Sequence, residues 1–328
     1  MGRTAVLMVI GLSVIIGFFT LKLNSTSSNA VKASVQQYNF SMARNIAHSA
    51  VSIVLHKIQT DRYTTSFSGT FDNGSYSVSK SQVGDTIWLS VTSTYEDTAL
   101  SMDLKLLQYP KPFPKTNAAV GFASDSINFS MSGSPQISGQ DRNTDGSSGP
   151  SPTLPAVTVP TAYDSSNVAP YSSYLTGSPK VAVSDSIPQP QDYIDEYFAD
   201  ATVTFPSSVS GGDTYGTATE PAIAVRDGDL SLSGGTTIYG ILVVKGNLTI
   251  SGSVRIYGIV INYGSNVTVN ITTTTGTPKI YGGFLMAGPP HASFTMKGNG
   301  YYTYSSQALD NVKNGSTLLA YHVFEWWE

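Results

Sequence analysis

The chain has 328 residues and no cysteine, its formal net charge is −4, and only 12% of its residues are charged. Charged residues make up about a quarter of an average globular protein, so solubility here must come from Ser, Thr, Asn and Gln. The lack of cysteine excludes a disulfide scaffold and a thiolate metal site or nucleophile. The negative charge without a basic run argues against nucleic acid as a partner. This length allows two or three domains.

The chain begins with an apolar run that passes into an amphipathic pattern. No residue between Arg3 and Lys22 is charged, and a run of about 18 apolar residues can cross a bilayer as a helix. Apolar residues then recur at spacings of three and four, without proline or glycine. We predict one helix over residues 1–60, on the order of 90 Å long. The side chains expected to mediate membrane insertion or assembly are Val6, Leu7, Val9, Ile10, Leu12, Val14, Ile15, Ile16, Phe18 and Phe19.

A cleavable signal peptide is the alternative interpretation of this beginning. Ser28-Asn29-Ala30 could serve as a small-x-small cleavage site. Helical periodicity continues through that site, however, and the apolar run is longer than the core of a usual signal peptide. We therefore expect the helix to be retained.

Residues 61–110 alternate apolar and polar side chains on short runs, which is the period of β-strands. Asp72-Asn73-Gly74 and Gly84-Asp85 are turn sequences between these runs. We predict an antiparallel β meander packed on the second half of the helix. The expected helix residues in this contact are Ala47, Val51, Val54 and Ile58.

Residues 111–222 are rich in Ser and Pro and lack a clear period, which predicts an irregular region. Ile127, Phe129 and Met131 form one short alternating run within it. Residues 191–199 predict a short amphipathic helix.

One loop in this region has the spacing of a calcium site. Asp141, Asn143 and Asp145 followed by Gly146 match the first half of an EF-hand-type loop. The twelfth position is Pro152, where such loops have a bidentate Glu. Calcium is therefore a candidate ligand of these three side chains. The alternative is a surface turn in which Asp and Asn bond their own backbone.

Residues 223–300 contain internal repeats. GDLSLSG recurs as GNLTISG and loosely as SNVTVN, which aligns Val267 with Leu248. Ile-Tyr-Gly occurs three times, the last after a threonine-rich insertion at 272–275. A period of about twenty residues with alternating apolar positions predicts a β-solenoid, and a sandwich of short strands is the alternative. The tyrosines of Ile-Tyr-Gly and the last two tryptophans are surface aromatic candidates: Tyr239, Tyr257, Tyr281, Trp326 and Trp327.

Residues 301–328 are predicted to form a C-terminal cap with a short helix over 306–312. Trp326 and Trp327 could cover the last repeat and so protect an exposed edge. The alternative is that both rings stack on a glycan or on a neighbouring subunit. The predicted fold class is therefore α+β and mostly β, with a long N-terminal helix, a meander and a solenoid-like domain.

Both ends of the chain and the repeat resemble type IV pilin-like proteins, in particular the X-type pilus assembly (minor pilin) family. The resemblance rests on the cationic start, the apolar helix, YNFSMARNIAHSAVSIVLHKIQ, and the C-terminal YSSQAL and WWE. It implies a helix that lies in the inner membrane before assembly and in a filament core afterwards. Asp-Asn-Asp-Gly loops of that family add support for calcium. The chain lacks the family's Gly before a Phe-Thr-Leu-Ile-Glu start, and the early glutamate that pairs with a neighbouring subunit's amino terminus.

The main hypothesis is a non-enzymatic structural subunit of an extracellular type IV pilus-like filament. Its partners would be copies of itself or other pilin-like subunits, with the β-rich part displayed for adhesion or surface contact. The location would be the cell envelope, anchored in the inner membrane before assembly and exposed on the surface afterwards. The alternative is a membrane-anchored adhesin that does not polymerise and binds glycan or surfaces through the solenoid.

A carbohydrate-active β-helix enzyme is a third and disfavoured hypothesis. Such enzymes need grouped carboxylates, but the acids of the repeat sit only at its first corner, at Asp227 and Asp229. The four histidines are spread along the chain. No G-x-S-x-G elbow, P-loop or H-E-x-x-H motif occurs.

Overall fold

A computed structural model of the chain describes residues 2–60, 64–71, 73–184, 187, 191–272, 276–288, 290–315 and 318–327. Asp72 of the predicted first turn, residues 273–275 of the threonine-rich insertion and the C-terminal Glu328 lie outside the described residues.

The protein is α+β and mostly β, with a long N-terminal apolar helix. The helices are α1 (Gly2–Thr60), α2 (Ala162–Val168), a 3-10 helix (Ala169–Tyr174), α3 (Gln191–Ala199) and α4 (Ser306–Lys313). The strands are β1 (Ser66–Phe71), β2 (Gly74–Val83), β3 (Thr86–Tyr95), β4 (Thr98–Pro110), β5 (Val120–Phe122), β6 (Ser126–Gly133), β7 (Gln136–Ser138), β8 (Val157–Val159), β9 (Leu175–Thr176), β10 (Val181–Val183), β11 (Val203–Thr204), β12 (Ser208–Gly211), β13 (Thr214–Tyr215), β14 (Ala222–Asp227), β15 (Leu230–Gly234), β16 (Thr237–Lys245), β17 (Leu248–Ser251), β18 (Arg255–Tyr263), β19 (Val267–Thr272), β20 (Lys279–Ala287), β21 (His291–Gly298), β22 (Tyr301–Tyr304) and β23 (Leu319–Trp327).

The chain divides into two compact units. Unit 1 comprises Met1–Tyr109 and Tyr321–Glu328, and unit 2 comprises Pro110–Ala320. The helices predicted over 191–199 and 306–312 are present in unit 2 as α3 and α4.

Unit 1 packs the second half of α1 against one face of a sheet with the order β1-β2-β3-β4-β23. The strands β1 to β4 pair antiparallel in sequence order. Alternate residues of these strands face the helix, as their period of two requires. The buried residues of this core are Ile46, Ala47, Ala50, Val51, Val54, Ile58, Phe67, Tyr76, Val78, Ile87, Leu89, Val91, Met102, Leu104 and Leu106.

The packed face of α1 begins at Ala43, which is fully buried. Val35 and Tyr38 belong to the same sequence pattern but are exposed. The Tyr38 ring contacts the Tyr95 ring in an edge-to-face arrangement, with ring centroids 6.2 Å apart. The amphipathic pattern of α1 is therefore longer than the sheet that covers it.

Unit 2 contains two sheets of parallel strands. Their orders are β10-β8-β5-β20-β18-β16-β14-β11 and β12-β15-β17-β19-β21-β6. The strands β13, β22, β7 and β9 extend the first sheet beside this path, and neither sheet closes on itself within the described residues. The three Ile-Tyr-Gly repeats pair with one another in register across β16, β18 and β20.

One alignment predicted from the repeated sequence is wrong. Leu248 pairs with Leu230 on one side, as the sequence predicts, but with Val269 on the other side rather than with Val267. The corner before β19 is longer than the earlier corners, and Asn266 in it has a positive φ of 56°. With the longer corner, Leu248 pairs two residues later than predicted, with Val269 instead of Val267. A shift of two residues keeps the same side chains facing inward, because side chains alternate along a strand with a period of two.

Residues 120–183 contribute strands to the same two sheets, although the sequence pattern left this region irregular. β5, β6 and β7 pair in parallel with β20, β21 and β22, respectively. β8, β9 and β10 continue from them in the same direction. In stacking order these strands therefore follow the last repeat of the chain instead of preceding the first.

The glycine of Ile-Tyr-Gly is required by the close approach of successive repeats. Gly240, Gly258 and Gly282 have φ values of 139°, 144° and 141°. A Cβ at Gly258 would collide with the carbonyl oxygen of Gly240, and one at Gly282 with that of Gly258. Only glycine combines this backbone conformation with that approach.

The first sheet is buried on both sides around the repeat. Leu242, Val244 and Val260 belong to the interior cluster of unit 2. Ile241 and Ile259, which alternate with them, join a second cluster with residues of α3 and α4. Burial on both sides explains the continuous apolar runs of these strands.

Candidate functional site

The apolar half of α1 is exposed along its length. The predicted assembly residues are each between 54% and 72% exposed: Val6, Leu7, Val9, Ile10, Leu12, Val14, Ile15, Ile16, Phe18 and Phe19. Ser13 and Thr20 donate hydrogen bonds to the carbonyl oxygens of Val9 and Ile16, both at 2.8 Å. Bonds of this kind satisfy a hydroxyl within the helix itself.

This exposed segment requires an apolar partner. Its most apolar stretch has a mean hydropathy of 2.4 and contains no buried residue. Burying one Val, Leu, Ile or Phe side chain stabilises by about 1.5–3 kcal/mol, so water is a poor environment for a helix that is apolar all round. By length and composition, α1 can cross a membrane.

Asp141, the first residue of the predicted calcium loop, is buried and fully engaged by protein donors. Its Oδ1 accepts a hydrogen bond from the backbone N–H of Ser306 at 2.8 Å. Its Oδ2 accepts from the Ser306 hydroxyl at 2.7 Å and from the backbone N–H of Ser151 at 2.8 Å. Because Ser306 begins α4, the carboxylate binds one of the N–H groups that a helix leaves unpaired at its N-terminus.

The other two residues of that loop bond within the loop. The Oδ1 of Asp145 accepts from the backbone N–H and the hydroxyl of Ser147, and these hydrogen bonds lower the pKa of Asp145. Asn143 Nδ2 donates to the hydroxyl of Ser147 and to the carbonyl oxygen of Ser148. Within the described residues no group of three or more His, Cys, Asp or Glu could hold a metal. These contacts agree with the Asx-turn interpretation, and calcium binding stays a prediction.

The tyrosines of the repeat form a stack, which we call the tyrosine ladder (Tyr239, Tyr257 and Tyr281). Ring centroids are 4.7 Å apart between Tyr239 and Tyr257 and 5.5 Å between Tyr257 and Tyr281, with interplanar angles of 15° and 12°. Tyr301 continues the stack at 6.4 Å with a tilt of 60°. In-register parallel pairing of β16, β18 and β20 places these rings one above the other.

The tyrosine ladder uses the faces of its own rings. Tyr239 and Tyr257 are partly exposed, but Tyr281, which was also predicted to be a surface aromatic, is buried because the neighbouring strands and rings cover it. Tyr257 has a ring on each side, so its edge and hydroxyl are what it can offer to a ligand. Burial raises the pKa of Tyr257 and of Tyr281. Both phenols are therefore neutral near pH 7, and a neutral phenol can donate or accept a hydrogen bond.

A row of different chemistry runs beside the tyrosine ladder. The residue before each Ile-Tyr-Gly is Thr237, Arg255 or Lys279, and these three residues pair in register. Lys279 in turn pairs with Tyr301. The sequence analysis did not single out this row, although reading the position before each repeat would have found it.

Trp326 and Trp327 lie on β23, whose C-terminal part belongs to unit 1. The Trp327 ring stacks on Trp88, with centroids 5.9 Å apart and an angle of 10°. The Nζ of Lys105 lies 5.3 Å from the centre of the Trp88 ring, and the Trp326 ring lies 5.0 Å from that of His48. The structure therefore places both tryptophans in the sheet of unit 1, and the predicted cap over the last repeat is not what their described contacts form.

Comparisons with known proteins give little further information. No family model matches the chain, and no curated protein matches its sequence. Among solved structures, the crystal structure of the competence-associated pilin ComZ from Thermus thermophilus aligns with 87% of this chain and 96% of its own, at 9% identity and a TM-score of 0.24. A TM-score this low does not establish a shared fold.

Proposed function

We propose that this chain is a pilin-type structural subunit that assembles into an extracellular filament through α1. The observation that carries the proposal is the division of this 59-residue helix. Its first half presents exposed apolar side chains all round, and its second half forms the core of unit 1 with the sheet. One rigid element thus combines a folded domain with a surface that needs lipid or other helices. The proposed role is structural rather than enzymatic.

The location follows from the same helix. Before assembly, α1 would lie in the inner membrane, where lipid covers the exposed side chains from Val6 to Phe19. After assembly, copies of α1 or the helices of other pilin-like subunits would replace the lipid. The hydrophobic effect favours both states over exposure to water, so unit 2 and the sheet of unit 1 would be displayed outside the membrane and then on the cell surface.

We further propose that unit 2 is a β-solenoid, the part of the subunit displayed for adhesion or surface contact. The support is the pairing of its strands, which are parallel throughout both sheets. Equivalent residues of successive repeats lie directly above one another, as Tyr239, Tyr257 and Tyr281 do. Stacking of this kind builds a core from repeats that could not bury one alone.

The test is to recover the full-length protein from the surface of cells that express it. Sheared material is imaged by electron microscopy, and the N-terminus of the chain is identified by mass spectrometry. Ile10→Asp places a charge in the exposed apolar segment, where 55% of Ile10 is exposed. Ser27→Asp places the same charge on the exposed polar part of the same helix and is the matched control.

We expect filaments that contain the intact chain. A carboxylate at the centre of an apolar helix costs about 3 kcal/mol, so Ile10→Asp should lower the sheared yield about a hundredfold. Ser27→Asp should leave the yield nearly unchanged. Loss of all residues before Ala30 from the mature protein would instead establish a signal peptide and contradict the proposal.

A membrane-anchored adhesin that does not polymerise is the second candidate. The observation that favours it is the partly exposed pair Tyr239 and Tyr257 of the tyrosine ladder, with Arg255 and Lys279 beside it, a polar surface suited to a glycan. In the same experiment an adhesin would stay in the membrane fraction as a monomer and would be absent from sheared filaments.

A further inference from the structure

Arg255 and Lys279 stand side by side in unit 2. They are partners in the parallel register of β18 and β20, so their Cα atoms are about 4.8 Å apart, the spacing of neighbouring strands. Both belong to the row that also contains Thr237 and Tyr301. Partners in a parallel ladder point to the same side of the sheet, so both cations project from one surface.

Two like charges at partner positions destabilise a sheet. Within the described ranges, neither Arg255 nor Lys279 forms an ion pair, whereas Lys111 and Lys245 in the same unit have carboxylate partners. Proteins depart from such local rules mainly where function requires it. A bound anion that bridges the two cations would remove the repulsion.

The tyrosine ladder lies beside this cation pair. Burial raises the pKa of Tyr281, and the nearby positive charges of Arg255 and Arg142 partly oppose that rise, while the Asp145 carboxylate adds to it. Arg142 comes from the loop after β7, and its backbone N–H donates to the carbonyl oxygen of Tyr304. A third cation therefore lies near the same end of the ladder.

We infer that this surface, formed by Arg255, Lys279, Arg142 and the partly exposed edges of Tyr239 and Tyr257, binds an acidic polysaccharide. The positive side chains would pair with carboxylates repeated along the sugar chain. The phenol hydroxyls of Tyr239 and Tyr257 would hydrogen-bond the sugar hydroxyls. The inference concerns a ligand of unit 2 and does not depend on whether the protein polymerises.

Nucleic acid fits this surface less well. The net charge of the chain is −4, and binding to a phosphate backbone depends on neutralising many phosphates with Lys and Arg. Single-stranded nucleic acid stacks its bases on free aromatic faces. Both faces of Tyr257 are covered by neighbouring rings, so the ladder offers edges and hydroxyls instead.

Binding can be measured with the full-length protein in micelles of a nonionic detergent. The probe is polygalacturonate, the neutral control is dextran, and duplex DNA represents the other class of polyanion. The test variant is Arg255→Gln with Lys279→Gln, which keeps side-chain length but removes both charges. The matched control is Lys115→Gln with Lys313→Gln, which removes two charges from exposed positions elsewhere in unit 2.

We expect the wild type to bind polygalacturonate and not dextran, and to bind it less tightly at higher salt because salt screens the charges. The double variant at the cation pair should bind about tenfold more weakly, because it loses two ion pairs with the polysaccharide and each exposed ion pair strengthens binding by up to about fivefold. The control variant should bind like the wild type. Tyr257→Phe keeps the ring stack and should weaken binding about threefold through the lost hydroxyl.

Three results would overturn the inference. The first is a wild-type protein that does not bind polygalacturonate. The second is a control variant that loses as much affinity as the test variant, because binding would then follow overall charge. The third is tighter binding of DNA than of polygalacturonate. None of these results bears on filament formation, so failure here can be told apart from failure of the proposed function.

Discussion

The apolar half of α1 and the strands of the repeat are built from the same residue types with opposite exposure. Leu12 in α1 is 62% exposed, whereas Leu242 in β16 is fully buried. The strands alternate between the interior of unit 2 and a second apolar cluster with α3 and α4, so both sides find partners within the chain. The first half of α1 is apolar around its whole circumference and has no such partner among the residues that the structure describes. Whether these apolar side chains are buried therefore depends on whether this chain itself supplies the surface that packs against them.

The largest effect on this comparison is expected at the glycine of Ile-Tyr-Gly inside β18. Gly258→Ala should lower the free energy of unfolding by about 4 kcal/mol, because it adds backbone strain and a collision with the carbonyl oxygen of Gly240. Gly84→Ala is the control, since Gly84 also has a positive φ of 60° but open space around it. That control should cost about 1 kcal/mol. Denaturant titration of the full-length protein measures both, and equal losses would contradict the close approach.

The next test exchanges the same side chain in the two regions. Leu242→Ala should lower the free energy of unfolding by about 3 kcal/mol, because the fully buried side chain leaves a cavity. Leu12→Ala should leave the unfolding of units 1 and 2 unchanged and should weaken membrane insertion or assembly. A stability loss at Leu12 similar to that at Leu242 would show that the apolar helix has a partner within the chain.

A third test asks whether Asp141 serves the fold or a metal. Asp141→Asn should lower the free energy of unfolding by about 2 kcal/mol, since hydrogen bonds to a buried carboxylate are stronger than those to an amide. Asp145→Asn changes an exposed residue of the same loop and should change stability much less. Calcium binding by the loop is the alternative, and the temperature of thermal unfolding with and without calcium tests it. A calcium-dependent rise in the wild type that Asp145→Asn abolishes would support the metal interpretation.

The smallest expected effect is a gain in stability. The hydroxyl of Tyr302 is buried and has no hydrogen-bond partner among the described residues, so Tyr302→Phe should raise the free energy of unfolding by about 1 kcal/mol. Burial also raises the pKa of Tyr302 well above its ordinary value. Because the pKa of Tyr302 is higher in the folded state than in the unfolded state, the stability of the wild type is complete below about pH 10. It falls as the pH rises further.

The pH dependence gives the control for this last prediction. The Phe variant should lose less stability above pH 10 than the wild type. Tyr163→Phe changes a tyrosine that is 73% exposed and should leave the alkaline loss as it is. Identical alkaline curves for the wild type and Tyr302→Phe would contradict the burial of the hydroxyl.

Much of the fold could be predicted wherever the sequence repeats at a short interval. Periods of 3.6 and 2 residues predicted α1 and the alternating strands of unit 1, and the repeated Ile-Tyr-Gly predicted the register of β16, β18 and β20. The alternating run of Ile127, Phe129 and Met131 marks β6, whereas β5 and β8 to β10 were missed because each has only two or three residues and does not resemble the repeat. They pair with strands far away in the chain, and no local pattern carries that information.

The candidate sites show the same limit. The spacing of Asp141, Asn143 and Asp145 is that of ligands in a calcium loop, but the partner of Asp141 is Ser306, 165 residues further along the chain. The tyrosine ladder followed directly from the repeat. The pairing of Arg255 with Lys279 could also have been predicted from the sequence, because both residues directly precede Ile-Tyr-Gly. The stacking of Trp327 on Trp88 could not, because it depends on how the strands of the sheet pair.

The stacking of β6 on β21 has a consequence for the timing of folding. During synthesis, residues 120–138 leave the ribosome well before residues 279–304, on which they stack. Until the later segment exists, the earlier one lacks these partner strands, and so large a separation along the chain makes contact formation slow. Unit 2 can therefore complete its core only after nearly the whole chain has been made.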